Sequence, residues 1–321
     1  MSSEKTSLPD LPPRDGEARV LCVGLVASDL LVPTDFPIPR DCKLSLDRIV
    51  RQGGGPAANA AVALSRLGMR VSFAGAVGGD AAGQAQIEEL AREGVEVSGM
   101  VVDETHESVV SVILVDRANG SRTIFSSTGA RPRFPAVPDL PDPAPHLLLL
   151  DTWMGAESVE LAKNARAAGA HVLLDAGTLR EDWREFVGVS DYAIVSEPFA
   201  DALSGAGETE AALACLLARG PSHAAVTRGA KGVVAARKGS PEVLRVPAFE
   251  VRAVDTTGAG DAFHAGTAWG LLRGLPWEDS LIAGAAVAAL KCRVAGGRMG
   301  LPKEEEVQKL LRTTPRADLD R

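Results

Sequence analysis

"VDTTGAGDAFHAG", residues 254–266, sets a glycine-rich turn against an acid and a run of small, apolar helix formers. Glycine closes such a turn without a Cβ penalty, so the amides of Gly258, Ala259 and Gly260 can point one way where a helix begins. A helix N-terminus carries roughly half a positive elementary charge and leaves N–H groups unsatisfied, which suits an anion such as a phosphate. Asp261 then stands beside the anion, where a carboxylate is a poor ligand but a suitable base for a hydroxyl attacking that phosphate. An acid in a first helical turn is also what the macrodipole favours with no chemistry attached. A dinucleotide-binding turn fits less well, because the third glycine falls at Gly266 and gives G-x-G-x-x-x-x-x-G instead of G-x-G-x-x-G.

Outward from this turn, strands and helices alternate. After the turn come two helices rich in alanine and leucine, about Ala259 to Arg273 and Trp277 to Lys291. Before it, "HLLLLD", "HVLLDAG", "YAIVSEP", "HAAVTRG" and "GVVAAR" read as strands, with helices expected at Glu157 to Ala168 and Glu208 to Ala218. This rhythm predicts an α/β fold with a central, mostly parallel sheet flanked by helices. "RVLCVGL", Arg19 to Leu25, reads as a buried first strand ending in a turn with Ser28 and Asp29, and residues past such a strand end face the ligand crevice of an open sheet. Gly68 and Gly94 sit where helix C-caps belong, the second closing a helix from about Asp80 to Glu93.

Two segments break the rhythm. "SVVSVILVD" and "SRTIFSS" are joined by "RANG", an Asn-Gly hairpin signal, and the alternation from Lys43 to Val50 predicts short strands beside that hairpin. Together they predict a small β-sheet lid built from about residues 30–52 and 95–126. The expected organisation is one domain over residues 18–315, with tails at 1–17 and 316–321.

At 321 residues, 45% of them hydrophobic and 24% charged, the chain is long and apolar enough to bury a large core. A net charge of −8 repels nucleic-acid backbones and acidic membranes, so neither is an expected partner. The first seventeen residues are polar with no apolar core of a signal peptide, and Cys22, Cys42, Cys215 and Cys292 lack any paired spacing. Reduced thiols and a cytoplasmic location are expected.

The glycine turn with its acid, together with "GGGPAANAAVALSRLG" and "GAVGGDAAG", resembles the two signatures of the ribokinase-like (PfkB) carbohydrate kinases over about Arg19 to Pro302. The resemblance implies a ribokinase-like fold and ATP-dependent transfer of the γ-phosphate to a sugar hydroxyl, with Mg2+. It implies Asp261 as catalytic base, with Gly258, Ala259 and Gly260 holding the charge that develops on the transferred group. Asp29 is similar in position to the family's acid for sugar hydroxyls. Gly54, Gly55 and Asn59 are candidate sugar contacts, since a backbone without Cβ lets a ligand approach and an amide both donates and accepts. Arg122 is placed like the lid residue of ketohexokinase-like members, and Thr227, Gly229 and Gly232 match the family's T-x-G-x-x-G nucleotide segment. Asp255 and Thr257, with carbonyls near Gly296 and Gly297, form a candidate monovalent-cation site for K+.

The sequence departs from the family in two places. Pro56 stands where many members have a sugar-binding asparagine, and the N-x-x-E motif is replaced, with Ser196 and Phe199 at its ends and Glu197 between them. The motifs look most like the sulfofructose kinase branch, which implies the C1 hydroxyl of a ketose such as 6-deoxy-6-sulfofructose or fructose, with Arg122, Arg131 or Arg133 for an anionic group. A nucleoside or other sugar kinase of this fold is the alternative within the class, weakened by an aromatic content of 4%. A non-catalytic sugar or nucleotide sensor is the alternative outside it. The resemblance also implies a homodimer formed through the lid.

Overall fold

The computed structural model describes residues 18–314, and the tails expected at 1–17 and 316–321 lie outside them. In chain order the strands are β1 (Arg19–Val23), β2 (Ala27–Thr34), β3 (Val50–Gly54), β4 (Arg70–Gly78), β5 (Glu96–Asp103), β6 (Val110–Asp116) and β7 (Arg122–Ser126). They continue as β8 (Leu147–Asp151), β9 (His171–Ala176), β10 (Tyr192–Ser196), β11 (His223–Thr227), β12 (Val233–Arg237) and β13 (Val243–Val246). The helices are α1 (Pro56–Arg66), α2 (Ala81–Arg92), α3 (Gly155–Ala167), α4 (Trp183–Val189), α5 (Glu197–Ser204), α6 (Thr209–Leu217), α7 (Ala259–Leu272), α8 (Trp277–Cys292) and α9 (Glu304–Thr313).

Nine strands form the large sheet in the order β13-β12-β11-β10-β9-β8-β1-β4-β5. From β5 to β11 every neighbouring pair is parallel, and β12 and β13 add an antiparallel edge. The central strands carry unbroken apolar runs because helices cover both faces, as "LLLLD" in β8 and "VLLDA" within β9 illustrate. Two large clusters of buried side chains flank the sheet, one including residues of α1, α7 and α8, the other residues of α3, α4 and α6. Helices α7 and α8 pack at close range: a Cβ on Gly284 would sit 2.4 Å from Thr267 Oγ1 and 2.7 Å from the Phe263 carbonyl.

The second sheet has the order β3-β2-β6-β7, with β2 parallel to β6 and the other pairs antiparallel. The "RANG" hairpin forms as read, joining β6 to β7. Three expectations about this region change. Asp29 does not follow the first strand in a turn but lies inside β2, an eight-residue strand of the small sheet. The strand expected at Lys43 to Val50 forms instead at Val50–Gly54, because the earlier alternation has nothing to bury against: Leu44 and Ile49 are 54% and 56% exposed. Residues 96–103, assigned to the lid by sequence, pair with β4 at the edge of the large sheet. All four cysteines are free, and no helix among the described residues is long and apolar enough to cross a membrane.

Candidate active site

The C-terminal ends of four adjacent parallel strands converge on one cavity of about 1310 Å³: Asp151 closes β8, Asp175 lies near the end of β9, Ser196 closes β10 and Thr227 closes β11. This is where open parallel sheets carry ligands, since the loops leaving the strand ends diverge there. Opposite these ends stands the N-terminus of α7. Gly258 is its N-cap at φ 76°, a left-handed conformation that costs a residue with Cβ about 1–2 kcal/mol, and a Cβ there would also lie 3.0 Å from the Gly297 carbonyl. Gly258, Ala259, Gly260 and Asp261 all line the cavity. The glycine turn and its acid therefore stand together at one cavity.

Asp261 is half-buried in the first turn of α7, and its Oδ2 accepts from Asn59 Nδ2 at 2.6 Å. Withdrawal from water raises its carboxyl above the usual range, against the Asn59 hydrogen bond and the charges of His264, Arg122 and Lys291, which favour the ionised form. Asn59 is held in turn by Arg298, a buried residue at 2% exposure whose Nε donates to Asn59 Oδ1 at 3.0 Å. The same guanidinium donates to Glu89 Oε1 at 2.9 Å and to the Gly54 carbonyl at 3.1 Å. Because Arg298 engages the amide oxygen, the amide nitrogen faces Asp261.

Of the expected sugar contacts Arg122 lines the cavity, as does Pro56 at the place of the family's asparagine, whereas Asp29, Gly54, Gly55 and Asn59 do not. Asp29 and Gly54 nevertheless meet, since a Cβ on Gly54 would fall 2.2 Å from Asp29 Oδ2. Asp29 is buried, and desolvation pushes its carboxyl up to about 6, opposed by Arg298 and reinforced by Asp261. Arg122 reaches from β7 across to the glycine turn, where its Nη1 donates to Thr256 Oγ1 at 3.0 Å, so the small sheet touches the anion-binding segment directly. Arg131 is committed to the carbonyls of Trp153 and Thr128, and Arg133 lies off the cavity wall.

Thr227, Gly229 and Gly232 line the same cavity. Glu197, between the altered ends of the N-x-x-E motif, is turned to two cations, accepting from Arg228 Nε and Lys231 Nζ at 3.1 Å each. Those partners, chiefly Arg228, hold its carboxyl below the usual range. The described residues contain no group of three or more metal-ligating side chains. Asp255 and Thr257 are buried, and the Asp255 carboxylate accepts from Thr257 N at 2.8 Å and Gly296 N at 2.7 Å. The backbone carbonyl of Asp255 faces Lys291 Nζ at 2.8 Å.

Sequence reading missed several groups. Asp151 is fully enclosed and accepts from the amides of Leu25, Trp153 and Ala57 at 2.8, 2.9 and 3.3 Å. Burial still pushes its carboxyl up to about 7, with the charge of Asp175 adding to the rise. Arg180 lines the cavity with its guanidinium carbon 3.5 Å from the centre of the Trp153 ring, and its Nε is buried without a hydrogen-bond partner. His264, one turn into α7, places Nδ1 2.7 Å from the Gly260 carbonyl and 3.3 Å from Asp175 Oδ2. Burial lowers its pKa, against the carbonyls of Gly260 and Ile194 and the Asp261 charge, and Nδ1 donates to Gly260 O and secures the turn from behind. Nothing local in the sequence ties Arg298 to Asn59, 239 residues away.

Comparison with known proteins agrees with this geometry. Residues 17–304 match the pfkB family carbohydrate kinase model. The chain is 31% identical over 301 residues to the ribokinase of Bacillus subtilis (strain 168), covering 91% of this chain and 99% of that protein. It is 31% identical over 296 residues to a fructokinase of Klebsiella pneumoniae, covering 82% and 93% respectively. The structure of fructokinase from Vibrio cholerae O395, bound to fructose, ADP and calcium ion, aligns with a TM-score of 0.75 at 25% identity over 92% of this chain and 100% of that one.

Proposed function

The chain belongs to the pfkB family of carbohydrate kinases, and on that premise we propose that it transfers the γ-phosphoryl group of ATP to a hydroxyl of a small sugar, with Asp261 as the base. The observation that carries this reading is the Asp261 carboxylate itself, set in the first turn of α7 beside the Gly258–Gly260 amides and at the wall of the cavity. Asp261 takes the hydroxyl proton, the sugar oxygen bonds to the γ-phosphorus, and the bridging oxygen leaves with its electron pair as ADP. The turn amides and the α7 N-terminus offset the charge on the moving group. A raised carboxyl pKa brings the base closer to working pH, where proton transfer is most efficient.

Two ends of the cavity suit the two substrates. Ala248, Phe249, Val251 and Ala253 with the small side chains Ala285, Ala288 and Ala289 offer apolar surface for adenine, edged by Glu250 and Arg252, and Thr227, Gly229 and Gly232 line the same cavity. Mg2+ would be held chiefly by the phosphates and water, as its reluctance to dehydrate favours, since Glu197 is already neutralised by Arg228 and Lys231. Arg122 and Asp261 line the acceptor end, and behind them Asn59 holds Asp261 by a hydrogen bond and Asp29 lies close enough to feel its charge. The acceptor we favour is the C1 hydroxyl of a ketose, fructose or its 6-deoxy-6-sulfo derivative, and the support for an anionic group is Arg122 and Arg180 on the cavity wall. A nucleoside acceptor is less favoured: Trp153, the aromatic beside Arg180 on that wall, already has one face covered by its guanidinium. A cytoplasmic homodimer through the small sheet belongs to the same reading, supported by the exposed Ile124 and Phe125 on β7.

The test is a panel of ketoses, aldoses, their 6-phosphates and 6-sulfonates, and nucleosides, each with ATP and Mg2+. ATP consumption with a ketose is expected, and preference for ribose or a nucleoside refutes the ketose assignment. Asp261→Asn keeps the fold and loses ~10²–10⁴-fold in kcat. Wild-type turnover by that variant refutes the role of Asp261.

A further inference from the structure

Lys291 occupies the last turn of α8 and is completely buried, at 0% exposure. An ammonium removed from water costs several kcal/mol unless its surroundings compensate. Here the compensation comes from one assembly: Nζ donates to the Asp255 carbonyl at 2.8 Å, and the Asp255 charge opposes the lowering that burial imposes on the lysine. The Asp255 carboxylate is pinned by the amides of Thr257 and Gly296, so a single acid joins the glycine turn, the 296–297 turn and the end of α8. Three residues after Asp255 begin the amides proposed to receive the phosphate.

The pair Asp255 and Thr257 reads from sequence as part of a site for a free monovalent cation. That site already holds a positive charge: the Asp255 carbonyl accepts from the Lys291 ammonium and the two oxygens of its carboxylate accept from the amides of Thr257 and Gly296, so a second cation beside them would be repelled, and of the pair's side-chain oxygens Thr257 Oγ1 alone is buried without a partner. We propose that Lys291 is the resident monovalent cation of this protein, its tethered ammonium setting the 255–260 turn and supplying positive charge behind the phosphate without added K+. Lys291 touches neither substrate, so it is a positioning residue. Its tether keeps the charge at the site at any salt composition, where a free ion must be recruited from solution.

The turnover readout rests on the kinase reading, but a binding readout does not, so the two can fail separately. Wild-type protein is assayed and melted in potassium, sodium and tetramethylammonium chloride at equal ionic strength. Equal rates and equal melting temperatures in the three salts are expected. Lys291→Ala, which opens space for an ion, loses roughly 10²-fold in kcat, the low end for removing a preorganised donor. K+ or NH4+, but not tetramethylammonium, then restores part of that rate and raises its melting temperature. Lys291→Met keeps the stem without the charge and stays slow in every salt. A merely structural lysine gives no such cation-selective rescue. The proposal is overturned if K+ raises the wild-type rate or melting temperature several-fold or by several degrees over sodium, or if Lys291→Ala is fully active in tetramethylammonium. Should neither variant fold, equilibrium dialysis of wild-type protein with Tl+ decides: no bound ion supports the proposal, and one ion per chain overturns it.

Discussion

Replacing Arg298 by methionine probes the link between the buried framework and the candidate base. The substitution keeps most of the stem volume and removes three donations, to Asn59 Oδ1, Glu89 Oε1 and the Gly54 carbonyl. Breaking a buried ion pair by removing one partner costs about 3–5 kcal/mol, because the partner is left uncompensated. Glu89 retains the Gly53 amide, whose nitrogen lies 2.9 and 3.1 Å from its two oxygens, and its side chain is 24% exposed, so the low end applies: about 3 kcal/mol. At roughly 2–4 °C per kcal/mol for a domain of this size, the melting temperature falls by about 6–12 °C. The second effect is on rate. With Arg298 gone, only the Asp261 carboxylate itself still orients the Asn59 amide, and the hydrogen bond to that carboxylate, worth about 1.5–3 kcal/mol, is lost in part of the population. That corresponds to about 10- to 100-fold in kcat at most. Urea denaturation with an unchanged slope and a lower midpoint measures the first effect, and kcat at saturating ATP and sugar the second. A variant within about 1 kcal/mol of wild type and equally fast would refute the reasoning on both counts.

Two further outcomes follow from the buried acids. Asp29, raised to about 6 from 3.8, binds its proton more tightly in the native state, so its favourable contribution is complete below pH 3.8 and is lost as pH rises through 6. The stability of Asp29→Asn relative to wild type therefore rises between about pH 4 and 7, by up to about 3 kcal/mol at 1.36 kcal/mol per pKa unit; a flat difference across that range contradicts the shift. Asp151→Asn turns an amide nitrogen toward backbone N–H groups that now donate to a carboxylate, and destabilises by about 1–3 kcal/mol, read as a lower urea midpoint. A neutral result there would mean that the three amides find other acceptors.

Much of the fold was legible because its signals are local. The apolar runs of β8 through β11 and the helical stretches of α7 and α8 repeat within a few residues, and their boundaries agree with the structure to within one or two positions. The "RANG" turn announced the β6–β7 hairpin by the same local logic. Partnership was harder to read. The run at residues 96–103 is a strand whichever sheet takes it, and only the packing of α2 and the pairing with β4 assign it to the large one. The alternation from Lys43 to Val50 looked like a strand, yet a strand persists only where a neighbour accepts its hydrogen bonds.

For the site, the sequence by itself determined the turn and the acid: glycine at φ 76°, a helix starting at once, and Asp261 in its first turn are consequences of thirteen consecutive residues. The tertiary structure alone decided what acts on that acid. Asn59 reaches Asp261 across 202 residues, Arg298 orients Asn59 across 239, and Lys291 meets Asp255 from the far end of a neighbouring helix. A buried charge is tolerated only where its partners converge in space, and no pattern of spacing along the chain reveals which partners those are.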